Sequence, residues 1–189
     1  MKIRSVGLNL SGGKGLSSFL TNAGFSTRFF YPWQNLSLGD YSEDISGANS
    51  YLDYTEESYD AIIDIPYCFS YEHAFNKDPE TKFIYIKKDI ESWIKSFKNT
   101  QVYFSHTPSR IFEELFCNIY INTGKTKMQD LTEEELRVIY TSHDDAVSLF
   151  FENNSNFLNV DLNDSEISNK LKTFLSIDKD VTFIDIEIP

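Results

Sequence analysis

The sequence predicts an α/β fold: a parallel sheet of five strands flanked by helices on both faces. Three observations predict it. Stretches with strand character alternate with stretches of helical period along the chain. The strand stretches are nearly continuous in apolar residues, as in TKFIYIK over 81–87, which is how a strand buried on both faces reads. The chain also opens with strand, glycine-rich turn and helix between Lys2 and Leu20.

The elements follow in order. Ile3, Val6, Leu8 and Leu10 make the first strand stretch, which breaks at Ser11-Gly12-Gly13-Lys14-Gly15. Leu16, Phe19, Leu20 and Ala23 then recur at helical spacing, and Gly24 marks the helix stop. Ser26 to Tyr31 reads as the second strand. Pro32 opens a stretch to Ser58 rich in Ser, Asp, Asn, Gly and Tyr, with no sustained period. It reads as a lid, a binding loop or short irregular helices. Its aromatics (Tyr31, Trp33, Tyr41, Tyr51, Tyr54) either line an acceptor site or pin the loop to the body. Tyr59 to Pro66 is the third strand signal and Tyr67 to Asn76 a helix, with a turn at Lys77-Asp78-Pro79. Thr81 to Lys87 is the fourth strand. Asp89 opens a helix that turns Trp93, Ile94 and Phe97 inward. Helices are expected over Pro108 to Tyr120 and Thr132 to Phe151, the second announced by a capping box of Thr132 and Glu135. Asn156 to Asp161 is the fifth strand, Ser165 to Leu175 the last helix, and Val181 to Ile188 an extended tail. At 189 residues, a single domain over 1–189 is expected.

Composition narrows the class. With 41% hydrophobic and 15% aromatic residues the chain is globular rather than disordered. Its 17 basic residues face 29 acidic ones, a net charge of −12. That balance speaks against nucleic acid or an anionic membrane surface as the main partner. Any anion site must be a local pocket of backbone dipoles and a few lysines. Cys68 and Cys117 are far apart, lie among apolar residues and read as buried reduced thiols. No secretory apolar region precedes the glycines and no apolar run reaches membrane-spanning length, so a soluble, cytoplasmic protein is expected.

The glycine-rich turn is the first candidate site. A turn between a strand and a helix lets backbone N–H groups converge on a phosphate, with the helix dipole adding positive potential. Glycine would keep Cβ atoms out of the anion's way and supply positive φ. An ordinary strand-to-helix turn is the other reading. A Walker A loop, G-x-x-x-x-G-K-[ST], does not fit. Counting from Gly7 to Gly12 leaves Gly13 where the lysine belongs; counting to Gly13-Lys14 leaves five intervening residues and puts Gly15 at the metal ligand. Glycine offers a metal no hydroxyl, so no metal is expected. In a parallel sheet ligands collect at the carboxyl ends of the strands near the topological switch point. Ser11 to Lys14, Asp64 to Pro66 and Lys87 to Asp89 fall on that rim.

Three stretches carry a resemblance. Gly7 to Leu16 reads GLNLSGGKGL, Tyr59 to Pro66 reads YDAIIDIP, and Lys82 to Trp93 reads KFIYIKKDIESW. They resemble GLPRTGTTSL, FDAVxDxP and KFILTVRDPESW of the P-loop sulfotransferases, most closely the short sulfotransferase-like proteins. His143 to Phe151, Phe157 to Asp161 and Leu171 to Leu175 follow the same family's later pattern. The resemblance implies a P-loop nucleoside triphosphate hydrolase-like fold and sulfuryl transfer from 3′-phosphoadenosine 5′-phosphosulfate to a hydroxyl or amine, leaving adenosine 3′,5′-bisphosphate. It implies that Ser11, Gly12, Gly13 and Lys14 hold the 5′-phosphosulfate and that Lys88 and Ser96, eight positions apart, grip the 3′-phosphate. The chain departs from the family pattern at Leu10, where a Lys or Arg is usual, at Gly13 and Lys14 in place of two threonines, and at Ile90 in place of proline.

Sulfuryl transfer needs positive charge on the departing group and a base on the attacking hydroxyl. Lys14 is the candidate for the first role, and is otherwise a solvated lysine in a helix's opening turn. Asp64 is the best-placed base, although an Asp before Ile-Pro can equally cap the next helix. Glu72, His73 and His143 are further candidates, and His106 has no nameable partner. Three functions are open: a sulfotransferase, a catalytically degenerate nucleotide- or acceptor-binding member of the fold, and a nucleotide kinase, which Gly15 and the scarcity of arginine disfavour. The acceptor is expected to be a small molecule or the hydroxyl of a glycan or peptide, polyanionic glycans being disfavoured by charge.

Overall fold

The structure, a computed structural model, describes residues 1–29, 45–104 and 113–186, the side chains of 101–104 excepted. Among them are five strands: β1 (Ile3–Ser5), β2 (Thr27–Phe29), β3 (Ala61–Ile63), β4 (Lys82–Lys87) and β5 (Phe157–Asp161). They form one sheet in the order β2-β3-β1-β4-β5, every pair parallel. Ile3 of β1 stands between Ala61 of β3 and Lys82 of β4. From β1 the chain leaves toward β2, and from its neighbour β4 it leaves toward β5. The switch point therefore lies between the carboxyl ends of β1 and β4.

Among the described residues seven helices cover the sheet: α1 (Gly13–Ala23), α2 (Ile45–Glu56), α3 (Tyr71–Lys77), α4 (Ile90–Phe104), α5 (Glu113–Asn118), α6 (Glu133–Phe150) and α7 (Ile167–Leu175). Single 3₁₀ turns sit at Tyr67–Phe69 and Met128–Asp130. The strands explain the layering. In β4, Ile84 and Ile86 join one core with α1, α7 and the tail residues Val181 and Phe183. Phe83 and Tyr85 join the other, built with α2 to α6 from aromatics such as Tyr51, Trp93, Phe97, Phe116 and Phe151. Alternate residues point to opposite faces, so a strand buried on both must be apolar throughout.

Element ends follow local chemistry. Gly24 closes α1 at φ 105°, its N–H donating to the Leu20 and Thr21 carbonyls, a left-handed position that suits glycine. Thr132 and Glu135 form the expected capping box of α6. Three expectations need correction. β1 ends at Ser5, because Leu10 takes φ 67° and the Ser11 N–H turns back to the Leu8 carbonyl at 3.2 Å. The helix expected over Tyr67 to Asn76 is a 3₁₀ turn and α3, interrupted at Ser70. The stretch from Pro32 to Ser58, read as aperiodic, contains the regular helix α2. Its buried face is Gly47, Ala48, Tyr51, Leu52 and Thr55, a helical spacing masked by weak helix formers. Tertiary contacts supply the missing propensity: Tyr51 stacks on Tyr67 with centroids 5.5 Å apart, and Arg4 of β1 pairs with Glu56 at 2.8 Å. Tyr54 is exposed, while Tyr31, Trp33, Tyr41, His106 and the start of the expected 108–120 helix lie outside the described residues.

Candidate functional site

At the switch point lies a cleft of about 220 Å³. Gly12, Gly13 and Lys14 reach it from the head of α1, Asp64 from the end of β3, Lys88 from the end of β4, and Ser96 from α4. The sheet order brings these segments together. Ser11 is buried and is not among the lining residues. Asn99, Thr100 and Asp185 do line the cleft and were not singled out from sequence. Asn99 and Thr100 follow Ser96 by three and four residues, a spacing that puts them on one helix face. Nothing in the sequence pattern signals Asp185.

The head of α1 carries backbone N–H groups that precede its hydrogen-bond ladder. Its first intrahelical bond runs from the Leu16 N–H to the Gly12 carbonyl at 2.9 Å, so the amides of Gly13, Lys14 and Gly15 lie ahead of the ladder. Gly12 supplies the left-handed turn at φ 78°. Close neighbours also crowd Gly12 and Gly13 of the turn. A Cβ at Gly12 would lie 2.8 Å from Leu162 Cδ1, and one at Gly13 would lie 3.2 Å from the Phe29 ring. At Gly12 that direction leads into the core, onto Leu162 and Ile86; at Gly13 it leads toward Phe29 and Asp64, which line the cleft.

Lys88 is buried, and its Nζ donates to Ser96 Oγ at 2.9 Å. Its backbone carbonyl accepts from the Tyr140 hydroxyl, which ties the end of β4 to α6. Both members of this basic-plus-hydroxyl pair line the cleft. Leu10, at φ 67°, lines the cleft where the sulfotransferase-like pattern carries a cation.

Asp64 is also buried, and its φ of 80° is uncommon for a residue with a Cβ. Two positive-φ non-glycine residues, Leu10 and Asp64, thus meet at one cleft, as backbone strain tends to do at functional sites. Asp64 Oδ1 accepts the Ile65 N–H at 2.8 Å, and the Asp64 carbonyl accepts the Cys68 N–H. Burial pushes its carboxyl up to about 7, opposed by the Ile65 hydrogen bond. It caps no helix with its side chain.

The two described histidines, His73 and His143, stand elsewhere. His143 is fully buried, with Nε2 2.6 Å from the Val6 carbonyl and Nδ1 2.7 Å from the Tyr120 hydroxyl. A carbonyl only accepts, so Nε2 carries the proton and Nδ1 accepts from Tyr120. Burial pushes the imidazole down to about 4, which keeps it neutral. Its role is to tie α6 to the exit of β1. His73 Nε2 lies 2.9 Å from Asp53 Oδ1, and His73 and Glu72 line a different cleft with Phe69, Tyr71 and Tyr120. Cys68 and Cys117 are buried and unbridged, and burial raises both thiols. Among the described residues no group of three or more His, Cys, Asp or Glu could hold a metal, and no helix is long and apolar enough to cross a membrane.

A family model described as a sulfotransferase domain matches residues 26–179. No curated protein matches the chain. The matched span holds Asp64, Lys88 and Ser96, while the turn from Gly7 to Gly15 and the tail beyond 179 lie outside it. It takes in well over half of the chain, all strands but β1 and all helices but α1. The chain belongs to the sulfotransferase family.

Proposed function

We propose that this chain moves a sulfuryl group from 3′-phosphoadenosine 5′-phosphosulfate to the hydroxyl or amine of an acceptor, a small molecule or a glycan or peptide side chain. One observation carries the reading: the Lys88–Ser96 pair, joined at 2.9 Å, opens on the same cleft as the head of α1. Two anion-binding features on one cleft suit a ligand with two separated anionic groups. The amides of Gly13 and Lys14 and the Lys14 side chain would receive the 5′ end, and Lys88 with Ser96 the 3′-phosphate. Ser11 contributes to the turn rather than to the lining.

When bound, the donor supplies an activated sulfuryl group at its 5′ end. Lys14 would hold positive charge where negative charge develops on departure, a role Leu10 cannot fill. Asp64 would receive the acceptor proton. A carboxylate with affinity near neutrality accepts a proton more readily than a solvated one, and only Oδ1 is engaged by the backbone. A second reading, a member that binds nucleotide without turnover, is favoured by the apolar Leu10 on the cleft wall.

Calorimetry tests the donor reading. Adenosine 3′,5′-bisphosphate is expected to bind more tightly than 5′-AMP, and Lys88→Ala to remove most of the difference, about 1.5–3 kcal/mol. Equal affinities in the unmodified chain would retire the assignment.

A further inference from the structure

The tail after α7 lies on the head of α1, and Gly15 is the point of contact. A Cβ at Gly15 would lie 2.5 Å from the Ile184 carbonyl oxygen and 2.9 Å from the Phe183 ring. The first is backbone and cannot swing aside. A Cβ at Gly12 would meet the same ring at 3.5 Å, so the tail follows the turn from Gly12 to Gly15. It is anchored along its length. Val181 and Phe183 are buried in the core shared with α1 and α7, and the Phe183 N–H donates to Ser168 Oγ at 2.9 Å. Lys179 Nζ reaches the Asn22 carbonyl at the far end of α1. Beyond this anchor Asp185 and Ile186 line the cleft.

Position 15 is where a metal–triphosphate loop of this kind needs a hydroxyl. Here the tail fills the space a side chain would take, and brings a carbonyl oxygen and a carboxylate to that side. We infer that the tail, Val181–Ile186, is a specificity wall: seated on α1 at Gly15 and lining the cleft with Asp185 and Ile186, it excludes a metal-bound triphosphate and admits a nucleotide with a single anionic group at the position nearest the loop. The inference rests on the nucleotide reading of the cleft. Gly15 is then fixed by the tail's close approach, and the change from triphosphate to phosphosulfate chemistry is held in place by residues outside the sulfotransferase-domain match.

5′-AMP and ATP with Mg²⁺ both lack a 3′-phosphate, so their affinity ratio reads only the 5′ end. Calorimetry on the unmodified chain is expected to give 5′-AMP an advantage of about tenfold or more. Gly15→Ser, which the tail cannot accommodate in place, is expected to speed hydrogen exchange at residues 181–186 and to abolish most of that advantage. Asp185→Asn, which keeps the size of the side chain and removes its charge, is expected to narrow it about threefold. An unchanged ratio in Asp185→Asn together with a loosened tail and unchanged ratio in Gly15→Ser overturns the inference alone. Should Gly15→Ser fail to fold, the Asp185→Asn ratio decides. Failure of the unmodified chain to bind either nucleotide or adenosine 3′,5′-bisphosphate overturns the donor reading and this inference with it.

Discussion

Asp64 and His143 make an instructive pair. Both are buried, and desolvation shifts both toward the neutral form, the carboxyl up to about 7 and the imidazole down to about 4. Their remaining valences differ. Both His143 nitrogens are engaged, by the Val6 carbonyl and the Tyr120 hydroxyl, within a shell of Phe69, Tyr71 and Tyr85 rings. Asp64 spends one oxygen on the Ile65 N–H, and among the described residues nothing donates to the other. It also lines the cleft, which His143 does not. A perturbed titration marks burial; an unspent valence facing a cavity marks capacity for chemistry.

The comparison breaks most visibly through substitution at Asp64. Asp64→Asn keeps the shape and removes the proton acceptor, so turnover is expected to fall about 10²–10⁴-fold, the usual range for a positioned acid or base. Transfer within a few-fold of the unmodified rate would place the base elsewhere. His143→Ala should act on the other axis. It leaves the Val6 carbonyl and the Tyr120 hydroxyl unpaired beside a cavity, a loss of about 3–5 kcal/mol in denaturant unfolding. Activity per folded molecule should change little.

The two groups also pull stability in opposite directions with pH. Asp64 has a folded value above its unfolded one, so the native state binds the extra proton between about 4 and 7. Its burial is cheap in acid and costs up to about 4 kcal/mol once pH exceeds 7. His143 has a folded value below its unfolded one, so its stabilising effect is intact above about 6.5 and is lost as pH falls toward 4. Unfolding curves of the unmodified chain and Asp64→Asn should therefore converge near pH 4 and separate with the variant more stable at pH 8. A separation that grows toward acid would reverse the assignment. The smallest expected effect sharpens the loop side. Lys14→Ala should lower kcat about 10²–10³-fold with a smaller loss of donor affinity if Lys14 acts on the developing charge. Affinity and kcat/KM falling together with kcat spared would make it a ground-state anchor.

Much of this was legible in the chain. Continuous apolar runs such as Lys82–Lys87 announced strands buried on both faces, and alternation with helices announced a parallel sheet. Rim logic brought Gly12, Gly13, Lys14, Asp64 and Lys88 to one place, because strand ends in such a sheet share an edge. What escaped depends on partners remote in sequence. α2 is held by Tyr67 and Arg4, and its Ser-, Gly- and Asn-rich sequence gave propensity reasoning little to hold. Gly15 looked like a missing metal ligand, while the tail that claims its space lies nearly the whole chain away. The φ of 80° at Asp64 has no local signature at all.

The most direct test of the cleft as a chemical site is the pH profile of donor consumption, read as release of adenosine 3′,5′-bisphosphate in the presence of a hydroxyl acceptor. With Asp64 as the base, kcat/KM should rise about tenfold per pH unit in acid and level off above about pH 7, where the carboxyl is ionised. Asp64→Asn should lose both the rate and the inflection. A profile flat from pH 5.5 to 8.5, or an unchanged inflection in Asp64→Asn, would contradict it, each limit being about a unit and a half from the inflection.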